Sequence, residues 1–240
     1  MENSIYVALS RQVGIAEKMA ITANNIANVN TPGYRAQNMV FNEFIADPRG
    51  LKDPLSEVLD YGHYQSTAPG SFRTTGNPLD VAIQGSGYMG IQTPEGLAYT
   101  RNGRLSLNVN REIVNPAGLP VTDEGGSPIS VPADAKDIII AEDGTISSEN
   151  GVIAKLKLVM FANEQELEAT GDSLYRTEQA EQPVENPRFV QGAYEESNVQ
   201  AVLEMTRMIQ TSRDFQSIHN LMQNEHDRQR TMIQRLTRAG

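Results

Sequence analysis

Few side chains in this sequence could carry chemistry. The histidines are His63, His219 and His226; only the last two fall near each other, seven residues apart, whereas a zinc site needs three or four converging ligands. Cysteine is absent, which removes disulfides, thiolate metal sites and a cysteine nucleophile. Glu164, Glu166 and Glu168 alternate as a solvated surface does, and no carboxylate pair is singled out for glycoside chemistry. Neither a Gly-x-Ser-x-Gly elbow nor a phosphate loop occurs. Gly85-Ser86-Gly87-Tyr88-Met89-Gly90, with Glu112 about twenty residues on, spells the dinucleotide fingerprint, but that motif must open a helix to receive a pyrophosphate. Gly90-Ile91-Gln92-Thr93-Pro94 allows no helix, so the segment reads as a turn between two strands. No catalytic, cofactor-binding or metal-binding residue is expected, and no cofactor.

The elements that would position such residues lie at the two ends and in the middle. Ile5, Leu9, Gln12, Ala16, Met19, Ala23 and Ile26 step alternately by four and three, as a coiled-coil seam does, with Val13, Ala20 and Ala27 widening the apolar face. Alanine permits close approach but buries little, on a scale of about 0.8 kcal/mol per CH₂, so this helix needs partners. Periodicity alone leaves a seam and a plain core helix as alternatives. Pro32 and Gly33 predict a stop near Asn30. Before it stand Asn24, Asn25, Asn28 and Asn30, poor helix-interior residues whose amides can fix register against a partner helix, a fraying helix end followed by a turn being the alternative. At the other end, Ser197 with Gln200 predicts a capping box. From there Ala201, Met205, Met208, Ser212, Phe215, His219 and Met222 repeat the four-three spacing, continued by Glu225, Gln229, Met232 and Leu236. About forty residues without Pro or Gly are long for a globular helix, and the N-terminal helix is its expected partner.

Residues 31–72 read as an irregular connector with short strands, expected to lie across a neighbouring surface or another subunit. From there short apolar runs alternate with turn signals. Strand candidates are Leu79 to Ile83, Tyr88 to Gln92, Leu97 to Thr100, Leu105 to Val109, Ile129 to Val131, Ile138 to Ala141 and Lys155 to Phe161. Asn102-Gly103, Glu124-Gly125-Gly126, Asp143-Gly144 and Asn150-Gly151 punctuate them. The expected fold is mixed α and β: long terminal helices pairing as a coiled-coil-like module, plus a central antiparallel all-β domain. Its parts are a helix at 1–30, the connector at 31–72, an acidic β domain at 73–190 and a helical segment at 191–240.

Charge separates the same parts. Of the net −10, residues 1–40 carry +1, residues 198–240 carry +2, and the middle carries −13. That balance argues against nucleic acid, which needs an excess of Lys and Arg. No run approaches the roughly 18 apolar residues of a membrane span, and Met1-Glu2-Asn3 lacks the basic opening of a secretory signal. No small-molecule substrate is expected.

Asn24-Asn25-Ile26-Ala27-Asn28-Val29-Asn30-Thr31-Pro32-Gly33-Tyr34-Arg35 resembles the N-terminal signature of bacterial flagellar rod, hook and hook-associated axial proteins, Asn-Asn-(Ile/Leu)-Ala-Asn-x-x-Thr-x-Gly-(Phe/Tyr)-(Lys/Arg). Asn77 to Tyr88 with Tyr99-Thr100-Arg101-Asn102-Gly103 is similar to the family's central signature, and Glu195 to Val199 with Glu204 to Ile209 to its C-terminal one. Two departures stand out: Tyr88-Met89 replaces paired aromatics, and Arg111-Glu112-Ile113-Val114 replaces a Gly-x-Leu-Val hairpin. The resemblance implies a structural subunit exported by the flagellar type III apparatus without a cleavable signal. It also implies helical assembly with copies of itself and other rod proteins across the periplasm, transmitting torque from motor to hook. Subunit contacts are expected at Ile5, Leu9, Met19, Asn24, Asn25, Ile26, Asn28, Asn30, Thr31, Pro32, Gly33, Tyr34 and Arg35. In the C-terminal part they are expected at Ser197, Asn198, Val199, Met205, Met208, Ile209, Phe215 and Met222. Without the resemblance, an extracellular fibre or adhesin module and an enzyme with a β-domain cleft remain as rival classes.

Overall fold

A computed structural model describes residues 2–46 and 55–238, with the side chains of 2–6, 41–46, 55–61 and 235–238 outside the described set. The chain divides into two compact units, 1–27 with 37–64 and 200–240, and 28–36 with 65–199.

The first unit holds two long helices, α1 (Glu2–Ala27) and α2 (Ala201–Arg238), and a two-stranded sheet of β1 (Gln37–Ala46) and β2 (Leu55–Gln65), β2's last residue falling to the other unit. The stretch expected as an irregular connector thus contains strands of ten and eleven residues. The side chains of Phe41, Phe44 and Ile45, apolar residues that sequence alone offers as anchors of this stretch, and the Pro- and Gly-containing segment 47–54 that breaks it lie outside the described residues. The helices run antiparallel: Asn25, near the end of α1, meets Glu204 at the start of α2, while Ala8 and Ile15 cluster with Ile218.

The stripe each helix turns inward differs from the expected seam by one residue at every second position. On α1 Ala8, Ile15 and Thr22 are buried, with Gly14, Ile21 and Asn25 beside them, whereas Leu9, Ala16 and Ala23, which were expected inside, are exposed. On α2 they are Glu204, Thr211 and Ile218, where Met205, Ser212 and His219 were expected. A four-three stripe and its three-four complement share alternate positions: Gln12, Met19 and Ile26 on one helix, Met208, Phe215 and Met222 on the other. Spacing cannot choose between them. Partners choose. Thr22 and Thr211 donate their hydroxyls to the carbonyls of Lys18 and Arg207, four residues back, at 2.8 and 2.7 Å. The Glu204 carboxylate is held by Asn25 and Arg207. Satisfied in this way, polar groups tolerate burial.

In the second unit, a six-stranded antiparallel sheet runs in the order Glu168–Gly171, Leu174–Arg176, Gly96–Thr100, Tyr88–Thr93, Leu158–Met160, Gln182–Pro183. A three-stranded antiparallel sheet runs Gly151–Lys155, Thr145–Ser148, Ile139–Ile140, and three two-stranded pairs complete the unit. One core gathers Val81, Ile83, Met89, Ile91, Ile113, Ile146, Leu156 and Phe189, among others. A second is aromatic: the Tyr99 and Phe161 centroids lie 4.7 Å apart at 72°, and those of Tyr88 and Tyr175 5.7 Å apart at 71°, edge-to-face in both cases.

Several expected strands are shorter or divided. Leu105 to Val109 shrinks to Ser106–Leu107, leaving Val109 exposed beside a turn. Ile129 to Val131 makes only an isolated bridge. Lys155 to Phe161 splits because Leu156 and Lys157 donate their N–H groups to Gly144 and Thr122 and so leave one sheet before joining the next. Arg111 adopts φ +61°, where glycine is the usual occupant, and its guanidinium donates to the carbonyls of Val131 and Ala135 at 3.1 and 3.3 Å. Gly85 and Gly87 sit in a positive-φ turn that leads into strand Tyr88–Thr93, which removes the nucleotide-binding reading.

Candidate functional site

After Ala27 the chain turns. Thr31 donates its N–H to the Asn28 carbonyl at 3.1 Å and its hydroxyl to the Asn28 side-chain oxygen, and Tyr34 donates to the Thr31 carbonyl. Gly33 then adopts φ +68° with its N–H on the Glu195 carbonyl at 2.9 Å. A Cβ here would lie 2.5 Å from the Arg101 carbonyl carbon. Glycine is required twice over, for its dihedral and for its close approach.

This turn delivers Arg35 into a buried ionic clasp. Glu195, 1% exposed, accepts from Arg101 Nε at 2.8 Å, with Arg101 Nη2 an ion pair 2.7 Å from the same oxygen, and from the Gly70 N–H at 2.9 Å. Arg35 Nη2 stands 3.7 Å from its other oxygen. Arg35 also donates to the carbonyls of Thr67 and Ala68, and Arg101 to those of Gly85 and Gly87. Arg101 lies 5.7 Å from the Tyr88 ring centroid, a cation–π distance. Burial first, and then Glu164, keep the Tyr88 phenol well above its ordinary range, so it stays a neutral donor to Glu164 at 3.2 Å. Asn198 closes the same region. Its oxygen accepts from the Ala36 N–H at 2.7 Å, and its amide donates to the carbonyls of Ser66 and Ala68.

Residues from all three quoted signatures meet here: Gly33 and Arg35, Arg101, Glu195 and Asn198. Sequence reasoning quoted every one but assigned Arg101 and Glu195 no role; their occurrence as charged residues inside signature runs was the available signal. The clasp has no nucleophile, and its charges are paired with each other and with backbone carbonyls, only the buried Arg35 Nε lacking a hydrogen-bond partner among the described residues, so its role is structural.

In the helical unit Asn25 pairs with the Gln37 backbone, as a neighbouring strand would, its amide donating to the carbonyl at 2.8 Å and its oxygen accepting the N–H at 2.9 Å. The Asn25 side chain thus acts inside the chain, whereas contacts between subunits were expected of it. Asn24 and Asn30 are exposed, and Met19, Ile26 and Met208 are half-buried. Phe215 and Met222 pack on Ala8, Ile15 and Ile218. Leu9, Met205 and Ile209 face outward at 47%, 52% and 56% exposure, with Val202, Leu203 and Leu221 also exposed. Pro32 and Val199 are buried, and the Ile5 side chain lies outside the described residues. Ser197 forms no capping box: its oxygen accepts from the Val199 N–H, two residues on, and the Gln200 carbonyl takes the first helical bond, from Glu204.

Among the described residues no three His, Asp or Glu side chains are grouped to hold a metal. His63 stands 3.6 Å from Glu17, and His219 shares a hydrogen bond with Gln223. No described helix is long and apolar enough to cross a membrane.

Comparison with known proteins adds three matches. Residues 5–35 match the flagella basal body rod protein family, residues 82–148 the D1 domain of the flagellar hook protein FlgE/F/G family, and residues 190–235 the C-terminal region of flagellar basal body rod FlgEFG proteins. Flagellar basal-body rod protein FlgF of Caulobacter vibrioides is 34% identical over 241 residues, covering 98% of each chain. FlgF of Mesorhizobium japonicum is 36% identical over 225 residues, covering 92% of each. Flagellar basal-body rod protein FlgG of Buchnera aphidicola is 32% identical over 227 residues, covering 82% of this chain and 86% of its own.

Proposed function

We propose how a chain that belongs to the flagellar basal-body rod protein family carries out its part in the rod. Membership makes it a structural subunit of the basal body, assembling with other rod proteins, and not an enzyme. The finer reading is that α1 and α2 pair as a coiled-coil-like module, that such modules pack side by side into a helical wall, and that the β unit is carried outside. Each contact joins different patches on successive copies, and where the operation relating them does not close, a helical rod results. Export through the flagellar type III apparatus, assembly across the periplasm and transmission of torque belong to this reading. A place in the proximal rod follows from the likeness to FlgF; the alternative is a distal-rod or hook role like that of FlgG.

One observation carries it. The helix pair turns Glu204 and Thr211 inward beside Ala8, Ile15, Ile21 and Ile218, while Leu9, Val202, Leu203, Met205, Ile209 and Leu221 face out. Contiguous apolar exposure marks an interaction surface. Methionine adds adaptability, suiting contacts that differ from one neighbour to the next. The subunit contacts are accordingly assigned to the terminal helices and the turn after α1.

The test is an Ile209→Glu substitution in a strain lacking the native gene. The variant is expected to fold with an unchanged melting curve and to abolish rod assembly and swimming. Normal swimming would overturn the reading.

A further inference from the structure

The helical unit also contains a polar cleft of about 250 Å³, lined by Lys18, Asn25, Gln37, Tyr64, Glu204 and Arg207, among others. Asn25 and Glu204 are buried in its wall and already paired within the chain, with each other at 3.4 Å, with Gln37, and with Arg207 at 2.5 Å. Lys18 differs. It is half-buried on the same wall, and among the described residues no ion pair or side-chain hydrogen bond reaches its ammonium. With Lys18 and Arg207 against Glu204, the lining carries one uncompensated positive charge.

A partner that covered this cleft would strip the Lys18 ammonium of hydration without a counter-charge, so it must bring a negative group or incur a penalty. The chain has a source of such groups. Its β unit, residues 28–36 and 65–199, holds 19 Asp and Glu against 10 Lys and Arg, a net −9. We propose that the Lys18 cleft receives an Asp or Glu side chain from the β unit of a second copy of this chain. The contact is heterologous, cleft to acidic surface, as an open helical assembly requires. Charge complementarity of this kind fixes register and excludes wrong partners. The inference rests on the assembly proposed above and names a polar contact that the apolar helix faces do not supply.

Full-length chain of natural isotope composition, mixed with an equal amount of ¹⁵N-labelled chain and allowed to associate, can be treated with a carbodiimide. That reagent condenses an amine and a carboxylate in direct contact into an amide with loss of water. Mass spectrometry should find Lys18 peptides of one isotope joined to peptides within 65–199 of the other. Lys18→Gln should remove that link and weaken association at least tenfold at low salt, whereas Lys18→Arg should keep both the association and its decline with added salt. Inter-chain links that form elsewhere while Lys18 links only within its own chain, or not at all, would overturn the proposal, as would unchanged association of Lys18→Gln. If no inter-chain link forms at any lysine, the assembly reading fails and this contact with it.

Discussion

The two units of this chain solve the burial problem in opposite ways. The β unit encloses two cores, one aliphatic and one aromatic, and fixes its buried charges with short hydrogen bonds. The helical unit buries Ala8, Ile15, Ile21 and Ile218 with Phe215 and Met222 against the cluster, places Thr22, Asn25, Glu204 and Thr211 inside, and leaves Leu9, Val202, Leu203, Met205, Ile209 and Leu221 exposed. Burial stabilises by about 25 cal/mol per Å² of apolar surface, so the β unit gains more from its own core than the helical unit does; completion of the helical unit by neighbours is the assembly proposed above. Inward polar groups with partners inside the chain, such as Thr22, Thr211 and Glu204, leave Leu9, Met205 and Ile209 on the outward face.

The sharpest way to break the contrast is steric. A Cβ on Gly103 would sit 1.5 Å from the Val81 carbonyl oxygen, and the Gly103 carbonyl accepts the Val81 N–H at 2.8 Å. Gly103→Ala should therefore destabilise the β unit by about 5 kcal/mol, read as loss of its cooperative melting transition. Next in size is the clasp. Glu195→Gln leaves Arg35 and Arg101 buried without their counter-charge, and a loss of about 3–5 kcal/mol is expected in chemical denaturation. Retention of the parent midpoint would mean that the clasp is electrostatically idle.

A matched pair measures the difference between units. Ile83→Ala in the β core should cost about 3–4 kcal/mol, within the range for buried aliphatics. Ile218→Ala, in a seam with few neighbours able to leave a cavity, should cost about 1 kcal/mol and leave the β-unit transition in place. Equal losses would remove the distinction between the units. The smallest effect is on acid stability. Burial pushes the Glu181 carboxyl up, but Lys157 Nζ at 2.7 Å and the Tyr99 hydroxyl at 2.6 Å outweigh it and hold the group below its ordinary 4.5. A lowered folded-state value contributes stability that is present above 4.5 and lost as pH falls through the folded value. Acid titration of Glu181→Gln should show a shallower loss below that point than the parent.

Much of this was legible in order along the chain. Pro32 and Gly33 announced the end of α1, which falls at Ala27, three residues before Asn30. Glycine-marked turns at Gly126, Gly144 and Gly151 are present with positive φ. The clasp was not legible as a clasp, since Arg35, Arg101 and Glu195 are far apart in sequence and only folding brings them within ion-pair distance. Nor was the capping chemistry: Ser197 makes a local turn to Val199 because the helix begins later than its spacing to Gln200 suggested.

The sequence by itself determined the elements, because helical spacing, proline and glycine act locally: two long helices, an antiparallel β region between them and an acidic charge concentrated there. Tertiary structure decided which of two interleaved stripes each helix buries. Local periodicity is blind to that choice, since both stripes share every second position. It turns on a hydrogen bond between Asn25 and Glu204, 179 residues apart, and on threonine hydroxyls that satisfy themselves on their own helices. Once those polar residues are inside, Met205 and Ile209 must face out.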